Sequence, residues 1–335
     1  MFSSPAVAGD LAIIGSCNGV IHAIDRRTGQ ARWKYNALQD GGRRAEFHGN
    51  PVVTADLIVL GSDDRNPDGV GYVYAFEKRT GNVRWKYRAG AGVMADLVRE
   101  GDRLYAVTLG DELVCLDLPT GRPEWRFASG WASEEMTNIS AAPAVLEGRI
   151  LFGGHNGVVH ALDAISGRLI WKRDVGAPVV TALVAGSGAV YFGTFDRRVH
   201  RLTLGPDAAH AELELGGVPF GPPTLLRDSL VLLVYESPDS ATLRSVDLTL
   251  KGVRWSREAP GGWSSARTYR WRGNALAGSE HGKLAAFSPD GSEVWSDTVG
   301  GVIRGIGVTD DVLYIGTLKG TLYAYRPFLL PEERH

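Results

Sequence analysis

Ile150-Leu151-Phe152-Gly153-Gly154-His155-Asn156-Gly157-Val158-Val159-His160-Ala161-Leu162-Asp163-Ala164-Ile165-Ser166-Gly167-Arg168-Leu169-Ile170-Trp171 reads as three strands joined by two turns. Asn156-Gly157 is the favoured two-residue hairpin turn, because both central residues take positive φ. In Asp163-x-x-Ser166-Gly167 the carboxylate caps backbone N–H groups two residues on, while the glycine takes the left-handed position. The strand that opens this stretch recurs as Leu11–Ser16, Leu57–Ser62, Val190–Thr194 and Val312–Thr317. Its second turn and tryptophan recur as Asp25-x-x-Thr28-Gly29-x-x-x-Trp33, Glu77-x-x-Thr80-Gly81-x-x-x-Trp85 and Asp117-x-x-Thr120-Gly121-x-x-x-Trp125, with looser copies ending at Trp255 and Trp295. One further strand precedes each copy, as in Pro51-Val52-Val53, Ala144-Val145-Leu146 and Ile306-Gly307-Val308.

Gly15, Gly61, Val107, Gly153, Gly193, Val234, Gly278 and Gly316 mark successive copies at a mean spacing of 43 residues. Four antiparallel strands at that period are the signature of a β-propeller blade, and no sustained 3.6-residue periodicity points to a helical solenoid. The expected fold is all-β: one domain over residues 1–335, an eight-bladed β-propeller of four-stranded antiparallel blades. The fifth unit, Arg201-Leu202-Thr203-Leu204-Gly205, lacks both the Asp and the Trp, so its outer hairpin is expected to rely on Leu213 or Leu215. The eighth ends in Thr321–Arg326 and Pro327–Pro331 with no Trp-bearing outer strand. That strand is absent, supplied from upstream, or replaced by Phe328-Leu329-Leu330.

The 36 Lys+Arg against 38 Asp+Glu leave a net charge of −2, which gives nothing to draw the chain onto nucleic acid. Its apolar runs of four to six residues are strands rather than membrane spans. Met1-Phe2-Ser3-Ser4-Pro5 carries no basic and apolar leader and no lipobox, so the expectation is a cytoplasmic protein or an excised mature domain. Cys17 and Cys115 are too few for a disulfide framework and too far apart for a CxxC motif. Cys115, in the place of the small Ala of the repeat, is expected to be a buried core thiol.

Ala23–Trp33 and Ala161–Trp171, read as Ala-x-Asp-x-x-Thr/Ser-Gly-x-x-x-Trp, resemble the tryptophan-docking repeat of the pyrroloquinoline quinone (PQQ) propellers. That superfamily includes quinoprotein alcohol dehydrogenases, BamB-like outer-membrane assembly lipoproteins and sensor domains attached to bacterial kinases. The resemblance implies that Trp33, Trp85, Trp125, Trp171, Trp255 and Trp295 dock between neighbouring blades. It also implies that an enzyme of this type would need a vicinal cysteine disulfide, a tryptophan and a carboxylate-held calcium around the quinone. Cys17 and Cys115 cannot be that vicinal pair, and no catalytic constellation is found, so PQQ is not an expected cofactor.

Repeat position also sorts the histidines. His22, His160 and His200 share one repeat position with Tyr74 and Tyr323, which reads as a structural role in each sheet, whereas His48, His155 and His281 fall on loops. Asp64-Arg65-Asn66-Pro67-Asp68-Gly69 has alternate oxygens and a glycine like the first half of a calcium loop, with Asp64, Asn66 and Asp68 as the ligands. It lacks the closing Glu, Ala75 standing at the twelfth position, and the plainer reading is a solvated turn. Three long blade-to-blade connections, Lys34–Asn50, Arg126–Ser140 and Ser256–Ser265, fall on one face. They carry the candidate partner-binding residues Arg43, Arg44, His48, Trp131, Glu134, Glu135 and Trp263. The two tryptophans lie outside the docking register and either offer a contact to a partner or fold back over their own sheets. The reading is a monomeric, non-catalytic scaffold for a protein or peptide partner; the alternatives are a small-ligand or Ca2+ sensor and, behind it, a PQQ-dependent oxidoreductase.

Overall fold

The computed structural model describes residues 3–40, 45–63, 70–131, 141–205, 209–237, 240–265 and 267–327. Among them, seven four-stranded sheets and one three-stranded sheet follow one another along the chain, each an antiparallel meander in sequence order. The expected eight-bladed propeller is therefore the fold. In the fourth blade the strands are Ala144–Leu146, Arg149–Gly153, Val158–Asp163 and Leu169–Asp174, counted from the axis outward. The second and third strands are buried almost without break, while the outer one alternates. Neighbouring blades cover both faces of the inner strands, so the core is a set of layers between blades rather than one central mass. One such layer joins Ala161 and Trp171 of the fourth blade to Val190, Phe192 and Leu202 of the fifth.

The Asp turns form as the sequence predicts. Asp25 Oδ1 accepts the N–H groups of Arg27 (3.0 Å) and Thr28 (2.8 Å). A register shift in the third strand sets Trp33 opposite Ala23, and its indole reaches the next blade, where Nε1 donates to the Lys78 carbonyl at 2.9 Å. Trp85, Trp125 and Trp255 repeat this on Leu118, Ala164 and Pro289. The turn glycine is needed twice over at Gly81: φ is +76°, and a Cβ would lie 2.5 Å from the Trp33 ring.

Where the repeat decays, the docking changes. The fifth blade offers no Asp turn, and Trp171 Nε1 is buried without a partner among the described residues. Ala211 takes the tryptophan's place, paired with Arg201 as Trp171 is with Ala161. Leu215 is buried and Leu213 packs into the same layer, as expected of an outer hairpin without a tryptophan. The docking hydrogen bond passes inward instead, with the Tyr191 hydroxyl donating to the Leu248 carbonyl at 3.2 Å. Tyr105, at the same repeat position, already shares the Ala164 carbonyl with Trp125.

The eighth blade comprises Ile303–Val308, Leu313–Thr317 and Leu322–Tyr325; Phe328, Leu329 and Leu330 lie outside the described residues. Ring closure brings Ser3–Pro5 so close to its inner strand that a Cβ on Gly307 would meet the Pro5 carbonyl at 2.1 Å. Arg26 Nε also donates to the Tyr314 hydroxyl at 2.6 Å across the closing interface.

Both cysteines are free. Cys115 is fully buried opposite Trp125, and burial together with the Glu124 carboxylate pushes its thiol up to about 12. Cys17 is partly exposed in the first blade's hairpin loop. Alkylation at neutral pH is expected to modify one thiol per native chain, at Cys17, and a second only after denaturation. Rapid labelling of Cys115 in the native protein would contradict its burial.

Candidate partner-binding face

In a four-stranded meander, the loops between second and third strands and the blade-to-blade connections emerge at the same end. The long connections thus crown one face of the ring. Arg43, Arg44, Glu134 and Glu135, and the calcium candidates Asp64, Asn66 and Asp68, lie outside the described residues.

The described part of the first connection is folded down rather than free. Ala37–Gln39 form one 3-10 turn capped by the Asn36 side chain, and Asp40 then gathers the Tyr35 hydroxyl (3.0 Å), the Tyr74 hydroxyl (3.4 Å) and Lys86 Nζ (2.5 Å). The Lys86 hydrogen bond holds the Asp40 carboxyl below its ordinary range, outweighing the burial that would raise it. Phe47 is fully buried against Tyr74, a core contact that its polar loop context concealed. His48, a candidate partner contact, is nearly buried, with Nε2 3.1 Å from Glu46 Oε2.

Trp131 and Trp263 part company. Trp131 is half-buried and stacks on the His155 ring at 4.8 Å and 19°. His155 belongs to the hairpin turn of the fourth blade; its Nδ1 lies 2.6 Å from Asp111 Oδ1, and its backbone N–H donates to Asp111 Oδ2 at 2.6 Å. Asp111, from the hairpin turn of the third blade, is itself buried. Two blades thus hold one loop aromatic in a fixed orientation. Trp263, by contrast, is 1% exposed, donates Nε1 to the Arg257 carbonyl at 2.9 Å and meets Phe287 edge-on at 5.7 Å. Its connection forms a β-bridge to Ser279 and turns inward, so the indole becomes core and the floor of a cleft of about 440 Å³ beside Tyr235, Glu280 and Arg304. Of the two readings open for Trp263, folding back over its own sheet is the one observed.

The loop histidines do not converge. His48 faces Glu46, His155 faces Asp111, and His281 Nδ1 lies 2.9 Å from the Pro260 carbonyl. Among the described residues the sets able to offer three metal ligands are Cys17–Glu46–His48 and His200–His210–Glu212, the second missed because His200 reads as structural.

Across the ring, Arg267 holds Asp96 through two hydrogen bonds of 2.5 and 3.0 Å. The Asn50 N–H donates to Asp96 Oδ1, while Asn50 Oδ1 accepts the Ser4 N–H. The Ser4 hydroxyl bonds the Tyr269 hydroxyl, which receives the Ile306 N–H. Burial by itself would raise the Asp96 carboxyl, but the guanidinium and the Asn50 N–H outweigh it and hold the group low. Cys17 and Cys115, the two cysteines, stand in the first and third blades and are both free.

A family model described as outer membrane protein assembly factor BamB matches residues 69–138 and 128–205. The Escherichia coli protein of that name is 24% identical over 207 residues, covering 60% of this chain and 50% of its own length. The chain thus spans about half the length of the curated relatives it matches. The solved structure of BamB from Moraxella catarrhalis superposes with a TM-score of 0.76 at 18% identity, over 97% of this chain and 96% of that one. A quinohemoprotein alcohol dehydrogenase from Pseudomonas putida reaches 0.53 at 14% identity, over 93% of this chain and 61% of its own. With its docking repeat and eight blades, the chain is an eight-bladed β-propeller that is similar to the BamB family model over residues 69–205.

Proposed function

We propose that this propeller is a non-catalytic scaffold that holds a protein or peptide partner on the face bearing its long connections. The observation that carries the reading is Trp131, half-exposed and stacked on His155, which Asp111 of the neighbouring blade holds. A rigid aromatic on a loop gives a partner contact area at little ordering cost, and tryptophan is enriched among residues that dominate binding energy. The relatives, named as assembly factors for outer membrane proteins, support a role in holding other proteins. A cleft of about 720 Å³ on the opposite face, lined by Thr54, Glu77, Arg84 and Asp102 among others, has no comparable fixed aromatic.

The test is site-specific photo-crosslinking in the native host, with the reactive aromatic placed at Trp131 or, on the opposite face, at Arg79. A discrete adduct is expected from position 131 alone, and Trp131→Ala is expected to weaken binding of the protein so identified at least tenfold, with unfolding temperature little changed. Adducts from both faces, from neither, or only from Arg79 would overturn the assignment.

A further inference from the structure

The fifth blade breaks the docking repeat, and in the same strands it assembles a ligand set found in no other described blade. Its third strand, Arg198–Thr203, carries His200, and its outer strand, His210–Glu214, carries His210 and Glu212. In the other two blades with a histidine at this repeat position, the residue opposite is a lysine: Lys34 faces His22, and Lys172 faces His160. In the fifth blade Glu212 faces His200. A cation is repelled at the first two positions and attracted at the third.

The register makes the difference. In the first four blades a bulge interrupts the pairing of third and outer strands. In the fifth, without the Asp turn and tryptophan, it runs unbroken from Arg198↔Glu214 to Leu202↔His210. His210 and Glu212, two residues apart on a strand, share one side of it, as do His200 and Leu202 on the strand beside it. His200 Nδ1 lies 2.9 Å from His210 Nε2, with the rings stacked at 5.2 Å. Glu212 Oε2 is 3.8 Å from the first nitrogen and 4.0 Å from the second.

We propose that His200 Nδ1, His210 Nε2 and Glu212 Oε2 form a binding site for a first-row divalent cation of the zinc(II) class on the outer edge of the fifth blade. Two imidazoles and a carboxylate suit such an ion by ligand type, and tetrahedral zinc with ligands near 2.0–2.1 Å needs neighbouring donors about 3.3 Å apart. The histidine nitrogens meet that with a few tenths of an ångström of movement. The carboxylate must close by roughly half an ångström, which Glu212 can do because its side chain is 45% exposed.

His200 is oriented for the task. The Thr194 hydroxyl donates to Asp196 Oδ1 at 2.5 Å and so accepts from His200 Nε2, 2.8 Å away. That leaves the proton on Nε2 and the Nδ1 lone pair directed at His210 and Glu212. Metal-bound histidines are held in this way, by a hydrogen bond to the other ring nitrogen that fixes the tautomer. Without the ion, His210 Nε2–H donates to His200; with it, His210 carries its proton on Nδ1, with no net proton change. Arg198 engages Asp196 at 3.0 Å and Glu212 Oε1 at 3.6 Å, leaving Oε2 to the ion, and Arg173 also bears on His210. Their charge places the expected affinity in the micromolar range rather than the nanomolar. The partly exposed His210 and Glu212 leave a coordination position open to water or to a donor from another molecule.

The experiment titrates chelator-stripped protein with Zn2+ by calorimetry and with Co2+ by visible absorption. One micromolar site per chain and cobalt d–d bands are expected. His210→Ala and Glu212→Gln, both on the surface strand, are each expected to weaken binding at least tenfold while leaving the metal-free unfolding temperature in place. Absence of saturable binding up to millimolar metal would overturn the proposal, as would affinity unchanged in both variants. So would binding lost in Cys17→Ser instead, which would move the ion to Cys17–Glu46–His48. None of these outcomes bears on the crosslinking of the loop face.

Discussion

Trp263→Ala is expected to lower the unfolding temperature by roughly 5 °C, whereas Trp131→Ala scarcely moves it. Sequence treats the two as equals, both being loop tryptophans outside the docking register. Trp263, however, is enclosed by Phe287, Leu243 and Ala277 in one layer, with its only polar atom satisfied by the Arg257 carbonyl. Truncating a buried tryptophan costs about 3–5 kcal/mol, from lost transfer energy plus the cavity left behind. In a chain of 335 residues each kcal/mol is worth on the order of 1.5 °C. Trp263→Phe, which keeps most of the packing but strands that carbonyl, should fall between. A thermal melt by circular dichroism decides it: an unfolding temperature for Trp263→Ala within a degree or two of the unsubstituted protein would mean the indole is not in the core.

Breaking the ion pair across the ring has the second large effect. Arg267→Met leaves the Asp96 carboxylate among hydrogen bonds that no longer balance its burial, at a cost of about 3 kcal/mol, the low end for a buried pair. The low end applies because the side chains of Arg267 and Asp96 retain 16% and 20% exposure. Adding Asp96→Asn removes the stranded charge and should recover part of the loss. The sign of the pH dependence follows from the depressed Asp96 carboxyl. Its folded value lies below the unfolded value of about 3.9, so its contribution is complete above that pH and is lost as pH falls through the folded value. In Arg267→Met the carboxyl no longer enjoys this depression, so the stability gap between variant and parent should narrow below about pH 4. Denaturant melts at pH 7 and pH 3 measure it, and a gap that stays constant or widens in acid would show that Asp96 is not held by Arg267.

The propeller was legible because its code is local and repeated. Asp163, Ser166, Gly167 and Trp171 sit within nine residues, and the turn they make needs no distant partner. The buried thiol of Cys115 followed from its substitution for a small core residue opposite Trp125. The weak docking of the fifth blade was legible as well, but its remedy was not: the hydroxyl of Tyr191 reaches Leu248, 57 residues on, and nothing near Tyr191 in sequence announces that acceptor. His200 was read as structural because position in the repeat groups it with His22 and His160. What separates it is the partner opposite, which depends on whether a bulge shifts the outer strand by one residue.

The candidate face divides along the same line. Sequence located the long connections and counted their aromatics and charges, but a loop's side chains are aimed by what its flanking blades offer. Trp131 found an imidazole held by Asp111 and stayed at the surface, while Trp263 found an apolar space above Phe287 and filled it. Sequence alone determined the eight-fold repeat, the strand count of each full blade and the positions of the docking tryptophans, because those rest on interactions within a hairpin or between consecutive units. Only the tertiary structure decided that Asp96 meets Arg267, 171 residues away, and that Ser3–Pro5 pack against Gly305 and Gly307. Those contacts exist only once the ring has closed, and closure is a property of all the blade angles together rather than of any stretch of chain.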